Sequence, residues 1–189
     1  MRCFIAIELP EEVKSALSDI EDELKKTKAD VRWVKPDNIH LTLKFLGNIE
    51  EKTTEEIIRK MEDICRRYNP IFLEIKGMGA FPSLKSPRVV WIGIYDNNNL
   101  KSLQEEIDRA MESIGFEGED RAFTAHLTLG RFRSNTDKNK LLEAMKLHEN
   151  DVFGSINVQS LSLMRSDLHP RSEERRVGKE CRSRWSPYH

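Results

Sequence analysis

The chain is poor in the residues that staple or interrupt a fold. Its 189 residues include 3 cysteines, 7 prolines and 9 glycines, and aromatic side chains make up 7%. Cys3, Cys65 and Cys181 form no Cys-x-x-Cys pair. That argues against a disulfide framework and suits a reducing cytoplasm. Long apolar runs are missing, so no membrane span is expected. Met1 passes straight into strand-like residues without a charged leader, so no secretory signal is expected. Neither sign of charge dominates: 31 Lys and Arg stand against 32 Asp and Glu, a formal net charge of -1. Such a balance argues against wholesale coating of nucleic acid and leaves room for a local basic cleft. No Walker or Gly-x-Gly-x-x-Gly loop is present, so ATP use is not expected.

What is there is periodic. Cys3–Leu9, Val31–Val34, Ile39–Leu46, Phe72–Lys76, Arg88–Ile94, Phe123–Phe132 and Ile156–Met164 read as strands. Helical spacing marks a segment opened by Pro10, then Thr53–Tyr68, Leu100–Ile114 and Thr136–Leu147. Residues 77–87 read as a loop with Gly, Pro and Ser that could border a site. The order of signals restarts near residue 72. The expected fold is α+β, with two similar lobes from a duplicated β-α-β unit and antiparallel sheets facing a central cleft.

The restart carries four letters with it. His40-Leu41-Thr42-Leu43 and His126-Leu127-Thr128-Leu129 are the same tetrapeptide. In a strand, residues two apart share a face. The leucines then point to the core, while His40 and Thr42, and likewise His126 and Thr128, point away from it. Two imidazoles meeting in one cleft are a metal-free acid–base pair: one takes a proton from water, the other gives one to a leaving oxygen. Two hydroxyls suit the non-bridging oxygens of a phosphate. Arg131 has the opposite parity to His126 and reaches such a site only if a bulge or bend at Gly130 re-aims it.

With these residues the chain resembles the RNA 2',3'-cyclic phosphodiesterase family, also named 2'-5' RNA ligases, of the 2H phosphoesterase superfamily. The resemblance rests on both motifs and their context: Arg2-Cys3-Phe4-Ile5-Ala6-Ile7, His40 to Gly47, Val90-Trp91-Ile92-Gly93 and His126 to Arg131. It implies opening of RNA 2',3'-cyclic phosphate ends to a 2'-phosphate, with no metal and no cofactor. It implies His40 as proton donor, His126 as proton acceptor, and Thr42, Thr128 and Arg131 on the phosphate. Some members also join or cleave 2'-5' linkages in tRNA halves. The partners implied are RNA ends with cyclic phosphate, including tRNA fragments, and a cytoplasmic monomer is expected.

Two alternatives stay open: a small cyclic nucleotide such as an ADP-ribose cyclic phosphate as substrate, and an RNA-binding module without catalysis. Trp33, Phe45 and Phe132 could stack a terminal base. Lys35, Lys44, Lys85 and Arg88 could guide an RNA strand. His148 at a helix C-terminus and His169 in a terminal loop read as surface residues. A metal site fits poorly, because His-x-Thr brings no further ligand at the right spacing. Residues 1–171 form one bilobal domain in this reading. Residues 172–189 lack an apolar period, are dense in Arg and look vector-derived, so they are excluded from the fold. Relatives carry a further strand near Ser166-Asp167-Leu168, whose loss puts one sheet edge in doubt.

Overall fold

Alternating and helical periods become strands and helices in a computed structural model, which describes residues 1–96, 98–167, 173–176 and 181–182. The strands are β1 (Arg2–Glu8), β2 (Val31–Trp33), β3 (His40–Asn48), β4 (Ile71–Phe81), β5 (Val89–Tyr95), β6 (His126–Phe132), β7 (Val152–Val158), β8 (Ser160–Asp167), β9 (Glu173–Arg176) and β10 (Cys181–Arg182). The helices are α1 (Glu11–Lys25), α2 (Thr54–Arg67), α3 (Asn99–Glu112) and α4 (Lys138–Leu147). Helix α1 starts behind Pro10 with Glu11 and Glu12 in its first turn, where acidic groups face the positive end of the helix dipole. It buries Val13, Leu17, Ile20 and Leu24 on one stripe.

The strands form two antiparallel sheets. One runs β10-β8-β1-β3, with β9 also on β8; the other runs β2-β6-β5-β4-β7. Sequence halves and sheets do not coincide. The first half sends β2 into the sheet of β6, and the second half sends β8 into the sheet of β3. The helices follow the same exchange: α2 packs with α3, touching β8 and β3, while α1 packs with α4 and against β7. Duplication thus produced two interlocked lobes, each holding strands from both halves. A continuous apolar core, with Ile5, Leu41, Leu73, Ile92, Leu127 and Leu163 among its members, joins them.

Three expectations change. The loop at 77–87 begins only after Phe81, because β4 runs on through Gly77 with a register irregularity between Ile75 and Met78. The last native strand is two strands. β7 pairs with β4 and β8 with β1, so the chain crosses between sheets at Gln159. Part of the segment read as foreign also enters the sheet: Glu173–Arg176 and Cys181–Arg182 both pair with β8. His169 and Leu168 lie outside the described residues.

Candidate active site

Each His-Leu-Thr-Leu lies on a strand whose alternation follows from its apolar residues. Leu41 and Leu43 are buried, as are Leu127 and Leu129, while His40, Thr42, His126 and Thr128 are half-exposed. The histidine and threonine of each copy therefore share the open face of their sheet. The strands β3 and β6, which carry the two motifs, are in contact although they belong to different sheets.

Both copies then bulge at the same letter. On β3, Thr42 pairs with Ala6 but Lys44 pairs with Ile5, leaving Leu43 as an extra residue. On β6, Thr128 pairs with Trp91 but Gly130 pairs with Val90, leaving Leu129 extra. One extra residue reverses the parity of the rest of the strand. Lys44 and Gly130 turn toward the core, whereas Phe45 and Arg131 turn to the face of the motif histidines. The bulge that Arg131 needed is present, one residue earlier than Gly130. Arg131 pairs with Val89 on one side and Arg32 on the other, both on this face.

Lys44 does not guide a ligand. It is 3% exposed, and its Nζ donates to Asp108 Oδ1 at 2.6 Å and to the Glu117 carbonyl at 2.5 Å. Burial pushes the Asp108 carboxyl up, but hydrogen bonds from Lys44 and the Glu119 backbone, with the Lys44 charge, outweigh it and hold the group below its ordinary value. Gln104 Nε2 reaches the carbonyl of the bulged Leu43 at 3.4 Å. The corresponding position in the second copy is Gly130, where a Cβ would lie 2.6 Å from Val31 Cγ1. Glycine there lets β2 close against β6.

Of the three aromatics proposed for stacking, Phe45 alone stands clear, 64% exposed on the site face. Trp33 and Phe132 pack against the core. Lys35, Lys85 and Arg88 are exposed. Each motif histidine meets a phenylalanine edge that sequence reading missed: Phe4 lies 5.9 Å from His40, and Phe81 lies 5.0 Å from His126. His126 Nδ1 donates to the Thr124 carbonyl at 2.8 Å, because a carbonyl can only accept. Its Nε2 is then the nitrogen left for chemistry. A cavity of about 390 Å³ opens beside His126, lined also by Phe81, Trp91, Tyr95, Asp96 and Phe123. The Trp91 indole lies flat on Gly79, where a Cβ would approach it to 2.3 Å. Among the described residues, no three or more His, Cys, Asp or Glu side chains gather to hold a metal ion, and no helix is long and apolar enough to cross a membrane.

The family model described as LigT like Phosphoesterase matches residues 7–91 and again 92–172, one motif in each match. The chain belongs to the LigT-like phosphoesterases. Members that it resembles include the RNA 2',3'-cyclic phosphodiesterase of Methanothermobacter thermautotrophicus, 36% identical over 90% of this chain and 92% of that protein. The protein of the same name from Thermotoga maritima is 37% identical over 96% and 95%. A solved structure from Thermus thermophilus is 26% identical with a TM-score of 0.81, covering 97% of this chain and all of that one. The duplicated family match and the duplicated bulge coincide in this chain: each matched half holds one motif whose fourth letter is squeezed out of register.

Proposed function

We propose that this LigT-like protein opens RNA ends that carry a 2',3'-cyclic phosphate, leaving a 2'-phosphate, by paired histidine acid–base catalysis without a metal. The observation that carries the reading is the repeated bulge. Strand alternation sets a histidine and a threonine on each open face, and the bulge adds one post-bulge side chain, Phe45 in the first copy and Arg131 in the second.

The chemistry rests on the capacity of each group. Water attacks phosphorus in line with the bond to O3'. His126, with Nδ1 committed to Thr124, takes the water proton at Nε2. His40 gives a proton to O3' as the P–O3' bond breaks, and the phosphate stays on O2'. The Thr42 and Thr128 hydroxyls and the Arg131 guanidinium meet the non-bridging oxygens, where charge develops. Phe45 offers a ring face to the terminal base. A monomer acting on RNA fragments, those of tRNA among them, is the simplest form of this reading.

The test is turnover of an oligonucleotide ending in 2',3'-cyclic phosphate, with product identified by its susceptibility to phosphatase and by mass. His40→Ala and His126→Ala each lower kcat by at least about a hundredfold, and EDTA leaves the rate unchanged. Full activity in both variants refutes histidine catalysis, and loss of activity in EDTA refutes the metal-free mechanism. Equal turnover of a mononucleotide and an oligonucleotide end instead assigns a small cyclic nucleotide as substrate.

A further inference from the structure

The two motif histidines have the same neighbours along the chain and different neighbours across it. In antiparallel register, Glu8 on β1 stands directly opposite His40, whereas Gly93 on β5 stands opposite His126. Directly opposed residues share a face with Cβ atoms about 4.5–5.5 Å apart. A carboxylate therefore flanks one imidazole, and bare backbone flanks the other.

Glu8 is itself held. Its Oε2 accepts a hydrogen bond from Ser162 Oγ at 2.6 Å. Ser162 lies on β8 opposite Ala6 and is 1% exposed. A polar row, Ser162, Glu8, His40, thus crosses three adjacent strands on the face of the first motif histidine, buried at its Ser162 end. Around it, Phe4, Ala6 and Met164 form a small apolar cluster of their own, apart from the main core. Apolar surroundings strengthen a carboxylate–imidazole contact and raise the cost of leaving either group unpaired.

We propose that Glu8, anchored by Ser162, is the positioning residue that makes His40 the proton-donating member of the pair. The inference rests on the acid–base reading of the site. A carboxylate beside an imidazole can take an N–H as a charge-assisted acceptor and so fix which way the ring presents its other nitrogen. The acceptor of His126, the Thr124 carbonyl, carries no charge; it occupies Nδ1 and leaves Nε2 free. Of the other elements packed on β3, β6 carries His126 and Arg131 on the open face of its own sheet, and α3 gives Asp108 to Lys44 on the core side. In the reaction Glu8 stays ionised. The proton that reaches O3' comes from His40, the proton lost by water goes to His126, and solvent resets both rings.

Glu8→Gln keeps the size of the side chain and an oxygen for Ser162 but removes the charge. Its kcat on the cyclic-phosphate oligonucleotide falls about tenfold or more, with KM within about twofold of wild type and an unchanged melting temperature. Glu8→Asp recovers part of the loss, and Ser162→Ala gives a smaller fall of the same kind. The deciding substrate carries sulfur in place of O3', a leaving group that departs without a proton. On it, wild type and Glu8→Gln turn over at similar rates. Equal loss on both substrates makes Glu8 a merely structural residue and overturns the proposal, as does a Glu8→Gln rate equal to wild type on the oxygen substrate. A wild-type chain that opens neither substrate overturns the reading of the site itself.

Discussion

The two His-Leu-Thr-Leu strands are alike in everything the tetrapeptide controls and unlike in everything it does not. Both put His and Thr on the open face, both bulge at the fourth letter, and both lay a phenylalanine edge against the imidazole. They differ at the next two letters and across the sheet: Lys44 against Gly130, Phe45 against Arg131, Glu8 against Gly93. Duplication supplied two equal imidazoles, but hydrolysis needs an acid and a base. The asymmetry sits in the residues around the repeat, where drift after duplication leaves the shared geometry intact.

The sharpest way to break the comparison is at the first core-facing position after the bulge. Lys44→Ala leaves the half-buried Asp108 without its cation and the Glu117 carbonyl without its donor. Breaking a fully buried pair from one side costs on the order of 3–5 kcal/mol; with Asp108 partly solvent-facing the loss falls at or below the low end, readable as a lower urea midpoint. The partner change, Asp108→Asn, tests the linkage. The Asp108 carboxyl is held below its ordinary value in the folded protein. Its contribution is therefore complete above the unfolded value and fades as pH falls through the folded one. Asp108→Asn destabilises near neutral pH and loses that effect in strong acid, seen as converging melting curves. Gly130, in the equivalent place, holds no charge to orphan.

In the proposed mechanism the open-face position after the bulge gives the two copies different roles. Arg131→Ala removes a fixed charge from the phosphate and lowers kcat/KM by roughly tenfold to a hundredfold, the worth of a hydrogen bond to a charged group. Phe45→Ala removes a stacking face instead. It raises KM for an oligonucleotide end by about fivefold or more and leaves kcat near wild type. If both variants change kcat and KM alike, the division of labour between phosphate and base at these two positions is wrong.

How far sequence carries such a site depends on which contacts are local. Strand parity from Leu41, Leu43, Leu127 and Leu129 was enough to aim the histidines and threonines, because alternation is a property of one strand. The interlocking of the halves was not legible, since which sheet β2 or β8 joins depends on nonlocal pairing. Merging β7 with β8 had the same cause: Ile156 to Met164 is one apolar stretch whose break at Gln159 serves two sheets. Arg131 shows the boundary clearly. Parity alone turned it away, and the extra Leu129 turned it back. Lys44 was read as a surface cation because lysine is rarely fully buried unless paired, and Asp108 is remote in sequence. Glu8 carried no signal beyond lying within the first strand, since its meaning comes from the register of β1 on β3.

The smallest effect is expected at the third described histidine, which shows what a histidine does without the repeat. His148 caps α4, its Nδ1 2.5 Å from Asp151 Oδ2 and its Nε2 3.1 Å from Glu23 Oε1 on α1. The Asp151 hydrogen bond, then that of Glu23 with both carboxylate charges, outweighs the opposing effect of burial and raises its pKa above the ordinary 6.5. The folded state thus binds this proton more tightly than the unfolded one. The stabilisation is complete below the unfolded value and is lost as pH rises through the folded one. His148→Gln should therefore lower the melting temperature at about pH 5.5 and leave it nearly unchanged at about pH 9. The pair is partly solvent-facing, so the loss stays below about 1 kcal/mol, and cyclic-phosphate turnover stays at the wild-type rate. A fall in kcat with His148→Gln at unchanged stability would give the protein a third working histidine and undo the two-copy account of its chemistry.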